Sequence, residues 1–456
     1  MLAVRSSRYG AWLLPLVLCC LGASVVACND DEGTGPAGPP GAVTLQVTTN
    51  VDTVKITWTA SASATSYRAE IRTNPDTLAK LLAGDATEAV FVGADGVEDG
   101  VDYTAVVFAV NAEGETASSN TPSVSVSFFP WDEFYPTSLH SNRQGKATWY
   151  NEMPNGGFEQ YTGIPYANLS CKNCHRPSQA PGTTGCETCH DTAEPQLGAV
   201  VEATLTGVCG DCHGRQKAEA ITHGFSDVHR DAGMDCMDCH SLEDMHGDGN
   251  SYASMLDDGA IDAKCENCHT SLASNTYHNL HSTSVDCSAC HIQSVVSCYN
   301  CHFETEVEMD MKKAYGQFKN WLFLVNRNDK VHAANFQSVK YGNSTFVAMA
   351  PFYAHTIARN ARGCADCHNS VALQQFVAEG KIDVVKWDDV ALKLTPIQGV
   401  VPVPPNFDQG GMIFDFADLD APGGSVWSFL QTGPDKIQLL YGEPLTPAQI
   451  DKLDQN

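Results

Sequence analysis

The residues with the clearest chemical purpose are paired cysteines followed at once by a histidine, in the pattern Cys-x-x-Cys-His. The pattern occurs eight times between Cys171 and His368. Its cysteines are Cys171 and Cys174, Cys186 and Cys189, Cys209 and Cys212, Cys236 and Cys239, Cys265 and Cys268, Cys287 and Cys290, Cys298 and Cys301, and Cys364 and Cys367. The histidines that close the motifs are His175, His190, His213, His240, His269, His291, His302 and His368. This pattern is the attachment signature of c-type haem. The sequence therefore predicts eight covalently bound haems, each with two thioether bonds and one proximal histidine.

Zinc sites and disulfides are the alternatives for so many cysteines. Zinc also binds Cys-x-x-Cys pairs, but zinc does not require a histidine directly after the second cysteine. Disulfides are common in exported chains, yet the motifs already use all 16 cysteines of this region. Haem is therefore the favoured interpretation.

The remaining histidines match the motifs in number. The chain has 16 histidines, and removing the eight motif histidines leaves eight. These candidate distal ligands are His140, His223, His229, His246, His278, His281, His332 and His355. The match favours histidine on both faces of every iron. The alternative is that one or two of them are ordinary histidines and that a haem uses lysine, methionine, water or no second ligand.

Three of the candidate ligands have informative positions. His278 and His281 are three residues apart, so on a helix they would share a face and could serve neighbouring haems. His140 precedes Cys171 by 31 residues. It is expected to cap a haem at the end of the molecule or in a neighbouring subunit.

The N-terminus has the pattern of an export signal. Residues 1–27 place Arg5 and Arg8 before an apolar run, which small residues follow. The sequence Val-Val-Ala-Cys that ends at Cys28 resembles a bacterial lipobox, so Cys28 is the predicted lipidation site. The alternative is ordinary cleavage after Ala27, which would leave Cys28 as a free thiol.

The predicted location follows from the signal. Residues 28–42 form a flexible tether rich in Gly, Pro and acidic residues, and no later segment is long and apolar enough to span a bilayer. We expect an exported, membrane-anchored lipoprotein, located in the outer membrane or at the cell surface rather than on the periplasmic face of the inner membrane.

Residues 43–128 alternate apolar and polar side chains, the pattern of strands in a sheet with one face exposed to water. Val54, Ile56 and Trp58 share one face, and Tyr103 begins a later run of the same kind. The segment resembles a fibronectin type III domain, an all-β sandwich. Trp58 and Tyr103 stand where that family has its second-strand tryptophan and its corner tyrosine. The resemblance implies a spacer and no catalytic role.

The rest of the chain is predicted to have little regular structure. Residues 129–170 form a connector. Residues 171–368 form the octahaem domain, in which short helices and loops surround the haems, because the segment has too few residues per haem to build a normal apolar core. Within it, residues 311–323 are expected to be helical. Residues 369–456 are expected to cover the haem core. The run from Glu243 to Asn250 is either a calcium loop or, preferably, a solvated turn that presents His246.

The charge of the chain limits its partners. It has 27 basic and 54 acidic residues, so its formal net charge is −27, and haem propionates would add to that. Nucleic acid and anionic membranes are poor partners for such a surface. Other redox proteins, especially basic proteins, and metal cations are better partners.

The motifs, the surplus histidines, the lipobox and the fibronectin-like segment together resemble outer-surface multihaem cytochromes of metal-respiring bacteria. The resemblance implies electron transfer in extracellular or periplasmic respiration, in some cases as a filament subunit. The haem number also resembles octahaem oxidoreductases that act on tetrathionate, nitrite or hydroxylamine. Those enzymes use lysine or an open position at the active haem, whereas this chain has enough histidines to close every iron. An electron carrier is therefore favoured over an enzyme.

The lipobox generates the first testable prediction. Replacing Cys28 with Ala removes the residue that would be acylated, so Cys28→Ala should release the protein from membranes. Its haem absorption spectrum should stay unchanged, because Cys28 belongs to no haem motif. Membrane fractionation of both proteins measures this, and unchanged fractionation would show that the chain is not held by a lipid at Cys28.

Overall fold

The computed structural model describes residues 38–50, 53–73, 75–128, 130–143, 145, 150, 157–170, 174, 185–190 and 204–455. The export signal, Cys28, most of the tether, Cys171 and His175 lie outside these residues. The chain divides into two compact units, Met1–Phe129 and Pro130–Asn456.

The first unit is a β-sandwich, as the alternation of its side chains predicted. One sheet has the strand order β1-β2-β5, and the other has the order β4-β3-β6-β7 with β8 paired to β6. The strands are β1 (Leu45–Asn50), β2 (Thr53–Trp58), β3 (Ser66–Arg72), β4 (Thr77–Ala83), β5 (Glu88–Val92), β6 (Asp102–Asn111), β7 (Gly114–Ala117) and β8 (Ser123–Ser125).

Two aromatic residues organise the interior of the sandwich. Trp58 and Tyr67 are buried against each other, with ring centres 5.3 Å apart. The buried Tyr103 accepts a hydrogen bond on its hydroxyl from the backbone N–H of Glu98 at 2.9 Å. A tyrosine bonded back to the backbone a few residues upstream is the corner arrangement of these sandwiches.

The second unit contains ten strands in two sheets. The larger sheet has the order β15-β10-β9-β11-β12-β18, and the smaller has the order β14-β13-β16-β17. The strands are β9 (Val295–His302), β10 (Ala314–Arg327), β11 (Lys330–Tyr341), β12 (Ser344–Pro351), β13 (Ile382–Asp388), β14 (Lys393–Pro396), β15 (Gly399–Pro402), β16 (Met412–Leu419), β17 (Trp427–Thr432) and β18 (Lys436–Leu439).

The helices of this unit are short. They span Trp131–Phe134, Leu139–Asn142, Phe158–Thr162, Val208–Cys212, Gly214–Lys217, Val228–Asp231, Leu242–His246, Cys265–Cys268, Thr276–His281, Cys287–His291, Phe303–Met309, Cys364–His368, Val371–Glu379 and Pro447–Asp454. Between residues 204 and 291 the structure consists of such helices and the loops that join them. No helix within the described ranges has the length and apolar character needed to cross a membrane.

The expectation of little regular structure throughout residues 171–368 is wrong for the segment from Val295 to Pro351. That segment forms β9 to β12 and contributes to a conventional apolar core around Trp321, Phe323 and Phe336. The rings of Trp321 and Phe336 lie 5.3 Å apart. Amide pairing between strands and aromatic packing hold this part together, so it does not need haem for its core.

The helix expected over residues 311–323 is also wrong, since most of that segment belongs to β10. Residues 321–326 are buried without interruption, as expected of a strand covered on both faces. A continuous apolar run has no two-residue alternation, and periodicity alone does not distinguish it from a buried helix.

Residues 369–456 were expected to be a cover for the haems. Instead, they form β13 to β18 and the helices Val371–Glu379 and Pro447–Asp454. Phe414 of β16 packs against Phe336 of β11, with ring centres 5.4 Å apart. The C-terminal residues therefore share one core with β9 to β12.

This core generates a stability prediction. Trp321 is fully buried, and Trp321→Ala should lower the free energy of unfolding of the second unit by about 3–5 kcal/mol, because it leaves a large cavity. Val390 is 95% exposed, and Val390→Ala should change that free energy by less than about 0.5 kcal/mol. Denaturant unfolding of the holoprotein measures both, and equal effects would contradict the core described here.

Candidate functional site

Six of the Cys-x-x-Cys-His motifs begin short helical turns. The turns cover Cys186–Thr188, Val208–Cys212, Cys236–Asp238, Cys265–Cys268, Cys287–His291 and Cys364–His368. Where the turn is tightest, the backbone N–H of the histidine donates to the carbonyl of the first cysteine, as from His190 to Cys186 at 2.8 Å. Residues three and four apart share a face of a helical turn. Both thiols and the imidazole of one motif therefore lie on the same side.

Six motif histidines each lie opposite one histidine from outside the motifs. The pairs and their ring-centre distances are His213 with His140 (6.2 Å), His190 with His246 (6.0 Å), His269 with His229 (6.1 Å), His240 with His355 (6.4 Å), His291 with His278 (6.4 Å) and His368 with His281 (6.3 Å). No pair joins two motif histidines or two others. The distribution matches one proximal and one distal ligand at each site.

The spacing of the pairs has a simple chemical meaning. A bond from a metal to an imidazole nitrogen is about 2.0–2.1 Å long, and that nitrogen lies about 1.1 Å from its ring centre, so two imidazoles on opposite sides of one ion have centres about 6.3 Å apart. The observed 6.0–6.4 Å agrees with this value. The six pairs therefore fit a haem iron held between two histidines, the group that the sequence predicts.

Hydrogen bonds orient several of these rings through Nδ1. Nδ1 of His291 donates to the carbonyl of Ala358 at 2.9 Å, and Nδ1 of His368 donates to the carbonyl of Leu453 at 3.0 Å. Nδ1 of His281 donates to the carbonyl of Tyr277 at 3.0 Å. A proton on Nδ1 leaves Nε2 with its lone pair, and a backbone partner of this kind is typical of metal-bound histidine.

Asp244 supports two different pairs. Its backbone carbonyl accepts a hydrogen bond from Nδ1 of His140 at 3.1 Å, and its carboxylate accepts one from Nδ1 of His240 at 2.9 Å. Sequence analysis missed this residue. The only available signal was its position four residues after a motif histidine, which places both on one face of a helical turn.

Burial favours the neutral form of three of these imidazoles, those of His140, His213 and His355. Burial lowers the pKa of His140 to about 4, and the neighbouring His213 adds to that shift. Burial is also the main cause that lowers the pKa of His213 and of His355. A neutral imidazole is the form that binds a metal, so no proton has to be displaced near neutral pH.

His140 faces a motif histidine of its own chain, His213. Of the two positions suggested by the sequence, the molecule's end or a neighbouring subunit, this pairing fits the first and does not require the second. The helix Leu139–Asn142 reaches the helix Leu242–His246 through the contact with Asp244, so a ligand remote in sequence is adjacent in space.

His278 and His281 lie on one helix, Thr276–His281, as expected from their spacing. They face different motifs, His278 opposite His291 and His281 opposite His368. One short helix therefore connects the sixth motif to the eighth.

Thiols of different motifs also interact with one another, through side-chain hydrogen bonds in three pairs and through charge alone in two. The interacting pairs are Cys174 with Cys212, Cys209 with Cys236, Cys239 with Cys268, Cys265 with Cys287, and Cys290 with Cys367. Burial and the Cys236 thiol, for example, raise the pKa of Cys209 to about 11. These interactions connect the first motif to the third and then run in order through the fourth, fifth and sixth to the eighth.

Among the histidines that the structure describes, two candidate distal ligands and one motif histidine do not enter the pairs. Nε2 of His223 lies 3.0 Å from Oε1 of Gln317. His332 is buried, with Nδ1 3.6 Å from Asp286 and 3.4 Å from the Tyr353 hydroxyl. His302 of the seventh motif lies in strand β9 and contacts no other histidine among the described residues.

All 15 motif cysteines in the described part of the chain are free of disulfides. Within those residues, no three histidine, cysteine or acidic side chains come together as a metal site. In the run from Glu243 to Asn250, which was expected to be a solvated turn rather than a calcium loop, Asp244 is bonded to His240 and to the backbone of Asp262, and Asp248 is bonded to Asn250 and Tyr252.

Comparison with known proteins found partial likenesses to solved structures and no family. No family model and no curated protein matches the chain. Similar solved structures include the fn3 domain of human collagen alpha-1(XX) chain, with 16% identity over 22% of this chain and 92% of that domain and a TM-score of 0.18. The FN5 domain of Drosophila Lar has 14% identity over 20% of this chain and 99% of that domain, with a TM-score of 0.17. The third fibronectin III domain of the human KIAA0343 protein has 18% identity over 23% of this chain and 95% of that domain, with a TM-score of 0.18.

These neighbours are fibronectin type III domains. Each of the three covers less than a quarter of the chain. They therefore say nothing about the motifs.

The pairing of His140 with His213 generates a prediction. His140→Ala removes one imidazole at a single site, so one haem per chain should become high-spin and bind carbon monoxide when reduced. Electron paramagnetic resonance and carbon monoxide titration measure this. Asn142→Ala, on the same short helix, is the matched control and should leave all haems low-spin. If His140→Ala has no effect either, His140 is not an iron ligand.

Proposed function

We propose that the chain is an exported electron-transfer protein whose Cys-x-x-Cys-His motifs hold c-type haems in a connected series. The observation that carries the proposal is the set of six histidine pairs, each joining a motif histidine to another histidine at 6.0–6.4 Å. Bound haem supplies one-electron exchange between ferric and ferrous iron, and histidine ligands on both faces favour a low potential because they lack the methionine that raises it.

The chain's own residues would hold and shield this chemistry. The motif turns present two thiols and one imidazole on one side, and the paired histidine occupies the opposite side. Hydrogen bonds from Nδ1 fix rings such as His291 and His368 in place before and after electron transfer. With both sides occupied by imidazole, a substrate finds no vacant position, so the proposed reaction is electron transfer without bond formation to a substrate.

Contacts between motifs support a series rather than isolated sites. Asp244 bonds to histidines of two pairs, and the helix Thr276–His281 supplies one histidine to each of two others. The interactions between thiols connect the motifs in the order first, third, fourth, fifth, sixth and eighth. An electron that enters at one motif would therefore always have a neighbouring site within the protein.

The location and partners belong to the same proposal. Lipidation at Cys28 would anchor the chain, at the outer membrane or cell surface, with the fibronectin-like unit as a spacer. The formal charge of −27 favours basic redox proteins or extracellular metal ions as partners. His140 was the suggested junction for a filament, but its pairing within the chain means that a filament would need another junction.

The enzyme alternative needs an iron with an open position. Among the motifs whose histidine is described, only the seventh lacks a facing histidine, so that motif decides whether the alternative gains support.

Protein-film voltammetry tests the function. A carrier should give reversible waves at low potential that stay unchanged when nitrite, hydroxylamine or tetrathionate is added. A carrier whose irons all have two histidine ligands should also bind no carbon monoxide when reduced. A catalytic current with any of the three compounds would contradict the carrier and support the oxidoreductase.

A further inference from the structure

The seventh motif, Cys298-Tyr299-Asn300-Cys301-His302, differs from the other described motifs in its backbone. It lies in β9, which is paired to β10 on one side and to β11 on the other. Cys298 is opposite Gln317, Tyr299 is opposite Gly316 and Cys301 is opposite Ala314, while Asn300 has a left-handed backbone with a φ of 53°. The motif is therefore part of a central strand, not a helical turn.

The backbone hydrogen bonds make the difference explicit. In the second motif, the N–H of His190 donates back to Cys186 at 2.8 Å and closes a turn. In the seventh motif, the N–H of His302 donates to the carbonyl of Lys313 at 2.7 Å, outside the motif. Forming the turn here would break pairing along a central strand.

The two residues between the cysteines are held in the core. The hydroxyl of Tyr299 donates to the carbonyl of Asp415 at 2.7 Å, and its ring is fully buried. The side-chain amide of Asn300 donates to the carbonyl of Ala417 at 2.9 Å and accepts from the N–H of Ala417 at 3.0 Å. In the other motifs these two positions belong to short turns, with no comparable anchoring to β16.

The two thiols have different surroundings. The amide of Gln317 lies 3.9 Å from Sγ of Cys298. Cys301 packs instead against a separate apolar cluster that includes Phe303, Val339 and Phe346. Asn300, between the two cysteines, has a left-handed backbone with a φ of 53°, so the separation of the thiols is inferred from their different neighbours and not from regular alternation. Thioether bonds to one porphyrin edge require both sulfurs on the same side.

The imidazole of His302 is already engaged at both nitrogens. Nδ1 lies 3.0 Å from the Thr305 hydroxyl, and Nε2 lies 3.4 Å from the carboxylates of Glu304 and Asp418. Lys340 pairs with the same two carboxylates, at 2.7 Å from Glu304. His302 is 3% exposed and belongs to a buried polar network that connects β9, β11 and β16.

The proposed series of sites does not need the seventh motif. The segment just before the eighth motif bonds directly to the sixth: the N–H of Ala358 donates to His291, and the N–H of Arg362 donates to Cys290. The helix Thr276–His281 and the interaction between Cys290 and Cys367 connect the same two motifs.

We propose that Cys298–His302 is not a haem attachment site, and that the mature chain carries seven haems although it has eight motifs. Cys298 and Cys301 stay as thiols, and His302 is a structural residue of the sheet. The inference rests on the proposed function, since it concerns which motifs take haem in a protein that takes haem at all.

Intact-mass spectrometry of the natural holoprotein tests the proposal directly. Seven haems are expected, together with two alkylatable thiols, at Cys298 and Cys301, after denaturation and reduction. Eight haems, or a haem on the peptide that contains Cys298, would overturn the inference and leave the electron-transfer proposal intact. A protein with no haem would overturn the proposed function instead.

Variants provide a second measurement that does not depend on counting alone. Replacing Cys298 and Cys301 with Ser should leave the haem number and the low-spin spectrum unchanged, whereas the matched change at Cys287 and Cys290 should remove one haem. His302→Gln should likewise leave every haem low-spin. Loss of one haem from the Cys298 and Cys301 variant, or a new high-spin signal from His302→Gln, would contradict the inference.

Discussion

The candidate site depends on a modest interaction, the hydrogen bond from Nδ1 of an imidazole to a nearby oxygen. Most of the histidines in pairs lie on helices of four to six residues, too short to be stable alone. Bonds from His291 to Ala358 and from His368 to Leu453 tie motif turns to segments far away in the chain. Each bond fixes the tautomer, the ring direction and the position of a turn together. The same interaction that prepares the ligand therefore also connects the fold.

The second unit combines two kinds of stabilisation. From Val295 onward, strands and the aromatic cluster around Trp321 supply a core of the ordinary kind. Between residues 204 and 291, short helices and loops have few buried apolar side chains of their own. Under the proposed function, the haems would supply the missing apolar surface in that region. The sheet would then serve as the rigid body against which the sixth and eighth motifs are positioned.

Much of this organisation could be predicted from the sequence, because it depends on local spacing. The motifs, the number of spare histidines, the sandwich with Tyr103 as its corner tyrosine and the helix that carries His278 and His281 all follow from short-range patterns. The partner of each histidine does not, since His140 and His213 meet only through tertiary packing. Residues 311–323 were expected to be helical, but most of them belong to β10, whose uninterrupted buried run has no strand periodicity. Cys298–His302 has the full motif, yet its conformation depends on strand pairing with β10 and β11. The residues of the motif do not indicate that pairing.

The position of Asp244 gives the protein a built-in asymmetry. A carboxylate that accepts the Nδ1 proton of His240 makes that imidazole a stronger electron donor, whereas the backbone carbonyl that faces His140 does so less. The two neighbouring sites would therefore differ in potential although both have two histidine ligands. The single carboxylate of Asp244 would then make electron transfer between these two sites more favourable in one direction, although both sites have the same ligands.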